Sequence, residues 1–150
     1  MKDMVLQVHE IGYTYKKLCD SPEPAILNSN TGFEFIRPYF KEYQGIREAM
    51  YAIYLNRKNM VIGVQRVSEG GVSGTAVDIK VILKGAIGLL ASNVILVHNH
   101  PSGELSASRS DKSVTNKTKE ACKLIDMELI DHLILGSDNT YYSFADEGIL

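Results

Sequence analysis

His98 and His100 stand one residue apart, and Asp111 follows shortly after them. Residues one apart in an extended segment point the same way, so two imidazoles can face one ion. Imidazole nitrogen and carboxylate oxygen are donor types that zinc takes. Three protein ligands, His98, His100 and Asp111, would leave a fourth position open for water, the pattern of a catalytic rather than a closed structural site. Metal binding lowers the pKa of such a water to roughly 7. Ser108 is placed to stabilise the oxygen that develops during attack on a carbonyl. Two readings without metal stay open on the residues alone: His98-Asn99-His100 as a hydrogen-bonded turn, and Asp111 as a first-turn carboxylate favoured by the helix dipole.

The elements that must position these groups are legible around them. The apolar run 93–97 is short, β-branched and nearly continuous, and reads as a buried strand that ends at the histidines. Pro101 and Gly103 shape the loop 98–107, and Ser108 is a candidate cap for a helix over 109–125. That helix is expected to pack through Val114, Ala121, Leu124 and Ile125 and to show Lys112, Lys117, Lys119 and Lys123 to solvent. Upstream, the runs 50–55 and 60–67 flank a polar insert and predict a hairpin. A helix from Thr75 or Val77 to Leu90 carries Ile79, Ile82, Leu83, Ala86, Ile87 and Leu90 on one side. The glycine-rich stretch 68–74 reads as a connection and lacks the spacing of a phosphate loop.

Farther out, residues 4–11 predict an edge strand and 16–30 a loop. Phe33, Ile36 and Phe40 recur at helical spacing after Ser29, Asn30 or Thr31 as possible caps, in an element that Pro38 shortens, bends or ends. Residues 128–135 form a strand, 136–139 a turn and 140–144 a last strand paired back on it. The order is that of one α/β domain with a mixed sheet, no internal repeat and no linker.

At 150 residues, 45% hydrophobic and 23% charged, the chain has the composition of a globular protein able to bury a core without disulfides. A net charge of -2 gives no global field toward nucleic acid, leaving only a local basic patch as a route to DNA. Cys19 and Cys122 have neither zinc-finger nor redox spacing and are expected as reduced thiols. With no signal segment and no apolar run long enough to cross a bilayer, the expected location is cytoplasmic, away from any membrane.

Together, His98-Asn99-His100-Pro101-Ser102-Gly103 and Ser108-Arg109-Ser110-Asp111 resemble the signature of the RadC-like proteins (UPF0758), a bacterial branch of the JAB/MPN (JAMM) metalloprotease superfamily. The resemblance extends to Arg47-Glu48 leading into Tyr54-Leu55-Asn56, to Asp131-His132-Leu133-Ile134-Leu135-Gly136, and to the ending 142–150. His-Asn-His in one contiguous run does not match the HNH nucleases, which disperse those residues through a hairpin and helix.

The resemblance implies a JAB/MPN (cytidine deaminase-like) three-layer α/β fold, a mixed β-sheet flanked by helices. It implies a single domain over 1–150 with a catalytic core over about 29–150; the amino-terminal helix-hairpin-helix region of the family's longer members is not expected in this chain. It implies Zn2+ bound by His98, His100 and Asp111, Ser108 beside the catalytic water, and Glu48 as general acid/base. Glu69, set in the glycine-rich connection, is the poorer candidate, and Glu48 as a plain surface carboxylate is the competing reading. His132 is expected to support the site from the core rather than to be a fourth ligand. Two departures stand out. Glu104-Leu105-Ser106-Ala107 replaces the family's usual Asp-Pro-x-Pro run, and Ala76-Val77-Asp78 stands where Pro-Arg-Glu is common.

The expected function is a zinc-dependent hydrolase, a metallopeptidase or isopeptidase, acting on a peptide or protein substrate that an exposed hairpin edge could receive as an added strand. The alternative is an accessory protein of DNA repair or mobile elements that binds DNA, through lysines such as Lys112, Lys119 and Lys123, or a protein partner, without peptidase activity.

Overall fold

Alternation along the central strands decides which face of the sheet each side chain reaches. A computed structural model describes residues 24–43, 45–70 and 77–150, with Gly12, Thr14 and Lys16 as isolated positions. The strand expected over 4–11, Cys19 and most of the glycine-rich connection lie outside the described residues.

Among the described residues five strands form one mixed sheet. β1 (Ala49–Leu55), β2 (Val61–Glu69), β3 (Asn93–Asn99), β4 (Glu128–Leu135) and β5 (Tyr141–Ser143) take the order β2-β1-β3-β4-β5. β3 and β4 run parallel, and every other pair is antiparallel. The α-helices of the described residues are α1 (Ser29–Ile36), α2 (Ile79–Gly88) and α3 (Arg109–Lys123).

Ile53, Leu55, Ile95, Val97 and Leu133 pack against Phe33, Ile36 and Phe40 from the α1 side. Ala52, Tyr54, Val94 and Leu96 pack on the opposite face with Ile82 and Ala86 of α2 and Cys122 of α3. Helices therefore cover both faces, giving three layers. In β4 the register slips where Val94 and Ile95 of β3 face Leu129 and Asp131. The bulge leaves Ile130 as the extra residue and aligns Leu96 with His132.

The local signals explain most boundaries. Asn28, one residue before the expected caps, closes a capping box with Thr31 at the start of α1. Pro38 occupies the first turn of a 3-10 segment, Arg37–Phe40, where its missing N–H costs nothing. At the β1–β2 turn, Asn56 Oδ1 accepts from the N–H groups of Lys58 and Met60, and Asn59 takes a left-handed φ of 56°, which asparagine tolerates.

Two expected packing faces are corrected. Helical spacing puts Ile87 and Leu90 on the apolar side of the second helix, but both are exposed, Leu90 by 85%. α2 ends at Gly88, and the half-buried Leu89 packs instead. α3 buries Asp111, Thr115, Thr118 and Cys122, while Leu124 forms its C-cap and is 86% exposed. Among the described residues no helix is long and apolar enough to cross a membrane.

α2 approaches the sheet closely at Gly85. A Cβ there would meet the hydroxyl of fully buried Tyr54 and the Gln65 amide oxygen, and Tyr54 OH donates within this cluster, 2.8 Å from Gln65 Oε1 and 3.0 Å from the Ile82 carbonyl. Overpacking of this kind costs about 1–3 kcal/mol and outweighs the gain of roughly 1 kcal/mol in helix propensity. Gly85→Ala is expected to destabilise the protein, as read by urea unfolding; a variant more stable than the parent would show that α2 can shift outward freely.

Candidate metal centre

β3 extends to Asn99, two residues beyond the apolar run, because pairing with β1 and β4 continues through the first histidine. His98 stands opposite Met50 of β1 and Ile134 of β4. The alternation that turns His98 toward α3 turns Asn99 the other way. Asn99 Oδ1 accepts from the Ala49 N–H at 2.8 Å, and its Nδ2 donates to the Arg47 carbonyl at 3.0 Å. The middle residue of the triplet thus brackets Glu48 through the backbone on both sides of it.

Asp111 arrives from α3. Ser108 is the N-cap: its Oγ accepts from the Asp111 N–H at 3.1 Å, and its own N–H donates to Asp111 Oδ2 at 2.7 Å. This capping box points the carboxylate back at the strand end. Asp111 Oδ1 lies 3.2 Å from His98 Nε2, and Oδ2 lies 3.5 Å from His100 Nε2. The two Nε2 atoms are 3.0 Å apart, and one donor atom from each of the three residues falls within 4.8 Å of the others.

The donor set fits a metal ion. His100 Nδ1 faces the Glu104 carbonyl at 2.7 Å, an atom that only accepts, so Nδ1 carries the proton and Nε2 is the nitrogen free to ligate. Two imidazole nitrogens and a carboxylate converging on one point can hold a divalent cation.

The electrostatics follow from the same contacts. Burial alone would raise the Asp111 carboxyl, but its contacts with the His100 and His98 rings outweigh it and hold the group well below the ordinary carboxylate range. The contact with Asp111 raises His100 above the ordinary imidazole value against the opposing effect of burial, and the Glu48 charge adds to the rise. His132, fully buried, is pushed well below that value by desolvation. Burial lifts the Cys122 thiol to about 11, an inert core sulfur.

His132 bears on the site from β4. Its Nε2 lies 2.8 Å from His98 Nδ1, its Nδ1 lies 2.6 Å from Thr115 Oγ1, and its ring stacks on Phe144 at 4.7 Å. Glu48, half-buried just before β1, lines a cleft of about 900 Å³ together with Met50, His100, Ser108, Asp111 and Lys117. Glu69 is not in a loop as expected but ends β2, where Arg47 holds it at 2.6 Å and Arg66 at 2.9 Å.

Thr115 and Asn99 were not singled out from sequence. A signal existed for Thr115: it lies four residues after Asp111, on the same helix face. For Asn99 the strand alternation carried the information, since a residue between two inward histidines must face outward.

A model of the family described as RadC-like JAB domain matches residues 26–149. The UPF0758 protein of Porphyromonas gingivalis is 39% identical over 126 residues, covering 84% of this chain and 55% of its own. That of Flavobacterium johnsoniae is 40% identical over 83% of this chain and 53% of its own. That of Aquifex aeolicus is 40% identical over 84% and 53%. The chain spans about half the length of these curated relatives.

Proposed function

The chain belongs to the RadC-like JAB domain family, and on that footing we propose that it is a zinc-dependent hydrolase of peptide or isopeptide-like amide bonds. The observation that carries the reading is the convergence of His98, His100 and Asp111 beside an open cleft that His100, Asp111, Glu48 and Ser108 line. When bound by those three residues, zinc acts as a Lewis acid that polarises a carbonyl and makes water a nucleophile at neutral pH.

The chain's own residues do the rest. The Glu48 carboxylate takes the proton of the attacking water and hands it to the leaving amine. Glu69, committed to two arginines, is not available for that work. Ser108 Oγ accepts from the Asp111 N–H, so its own proton remains to be donated to the oxygen that gains charge during attack. The Glu104 carbonyl holds His100 by its Nδ1 proton, and the backbone bonds of Asn99 keep the segment bearing Glu48 beside the ligands.

Metal analysis tests the reading first. Purified protein is expected to carry zinc, or to take up one equivalent after chelation and titration, and the loaded protein to cleave members of a peptide and isopeptide library. Protein that contains no zinc and binds none on titration ends the hydrolase reading.

A further inference from the structure

We infer that Thr115 and His132 are positioning residues that fix which nitrogen of His98 faces the metal position, so that the second turn of α3 helps to set metal affinity. The inference rests on the metal-binding reading of His98, His100 and Asp111, and adds two residues outside that ligand set.

The direction of each hydrogen bond follows from counting protons. A threonine hydroxyl has one proton. Thr115 Oγ1 lies 2.6 Å from the Asp111 main-chain carbonyl, which has none to give, so the threonine proton goes there. Toward His132 Nδ1, 2.6 Å away, the same oxygen presents a lone pair, and Nδ1 must be the donor. The His132 ring is wholly buried, between Thr115, His98 and the face of Phe144. Among the described residues no carboxylate bonds to the ring, and a buried imidazole without one stays neutral. Its Nε2 is therefore bare and accepts from His98 Nδ1–H at 2.8 Å. His98, with its proton fixed on Nδ1, turns a lone pair on Nε2 toward His100 Nε2 and Asp111 Oδ1, at 3.0 Å and 3.2 Å.

The relay is a closed ring. It leaves the metal position through His98, crosses from β3 to β4 at His132, passes to α3 at Thr115, and ends on the backbone of Asp111, whose side chain is another ligand. Reversing the two bonds at His132 would put a hydrogen on His98 Nε2, where it would block coordination. Outer hydrogen bonds of this type to a ligating histidine are worth roughly 10- to 100-fold in metal affinity.

Long-range proton–nitrogen correlation spectra of the histidine rings test the relay directly in metal-free protein at mildly alkaline pH. His98 and His132 are both expected with Nδ1 protonated and Nε2 bare. Thr115→Val keeps the shape and removes the hydroxyl; it is expected to weaken zinc binding by about 10- to 100-fold, measured against a chromogenic chelator, and to mix the His98 tautomers. Thr115→Ser is expected to restore both. A proton on His98 Nε2 in the parent protein overturns the relay, as does a folded Thr115→Val variant that binds zinc as tightly as the parent with one His98 tautomer. Should Thr115→Val fail to fold, the parent's ring spectrum decides alone. If the parent takes up no zinc, the hydrolase reading falls, while the spectrum still decides whether the relay exists.

Discussion

Asp111→Asn is expected to lower zinc affinity by more than about 100-fold while leaving the fold in place. Losing a direct ligand should exceed the roughly 10- to 100-fold that outer-shell partners are worth. Asparagine is nearly isosteric, and its amide oxygen can still accept from the Ser108 N–H, so the start of α3 keeps its cap. What disappears is the negative charge facing His98 and His100. Calorimetric titration with zinc reads the loss, and an asparagine variant of unchanged affinity would remove Asp111 from the ligand set.

The same substitution has a pH signature in the metal-free protein. His100 is raised by Asp111, so its contribution to stability is full below its ordinary value of 6.5 and fades as pH rises through the higher folded value. Asp111 is lowered, so its contribution is present above its ordinary value of 3.8 and is lost only as pH falls through the lower folded value. Both act together between 3.8 and 6.5. His132 has the opposite sign: held low by burial, it costs stability as pH drops below 6.5. The difference in thermal stability between parent and Asp111→Asn cancels that shared contribution, and is expected to be largest in the mildly acidic window and to shrink above neutrality. Zinc binding competes with the proton on His100, so affinity should rise with pH through the raised His100 value.

Glu48→Gln is expected to cut turnover by roughly 10²- to 10⁴-fold, the usual worth of a general acid/base, without changing zinc content. The proposed base sits in the cleft with His100 and Asp111, and its charge is felt at His100. Its backbone is fixed independently of its side chain: the Gly70 N–H donates to the Glu48 carbonyl at 2.9 Å, and Asn99 holds both neighbours. Glutamine keeps the shape and loses the basicity. On any peptide that the zinc-loaded parent cleaves, kcat should fall. Unchanged turnover would place the base elsewhere; a simultaneous loss of zinc would make Glu48 part of the metal's surroundings.

The sequence carried the parts of the site that obey a short-range rule. The hairpin, the strand leading into the histidines, the Ser108 cap and the 128–135 strand all follow from alternation, turn chemistry or capping, and the structure places them there, with the central strand carried on to Asn99. The buried face of α3 did not follow. Hydrophobic patterning selects Leu124 and Ile125, but the helix turns Asp111, Thr115 and Thr118 inward because what it covers is His132 and the ligand histidines. A polar interior defeats a search for apolar periodicity. Glu69 was misplaced for a related reason: glycine content after it suggested a loop, while pairing with β1 carries β2 through to that residue. The His98–His132 contact depends on the β3–β4 register and on a one-residue bulge, neither of which has a local sequence mark.

Asn99 gives the centre a thermodynamic consequence. One side chain, between two ligands, closes the backbone on both sides of the residue proposed to move protons. On the proposed reading, order imposed on the end of β3 by a bound cation would be felt at Arg47 and Ala49, and by reciprocity a substrate that pinned the Arg47–Ala49 backbone would tighten the cation's hold by the same factor. Cofactor and substrate would then each act as the other's effector.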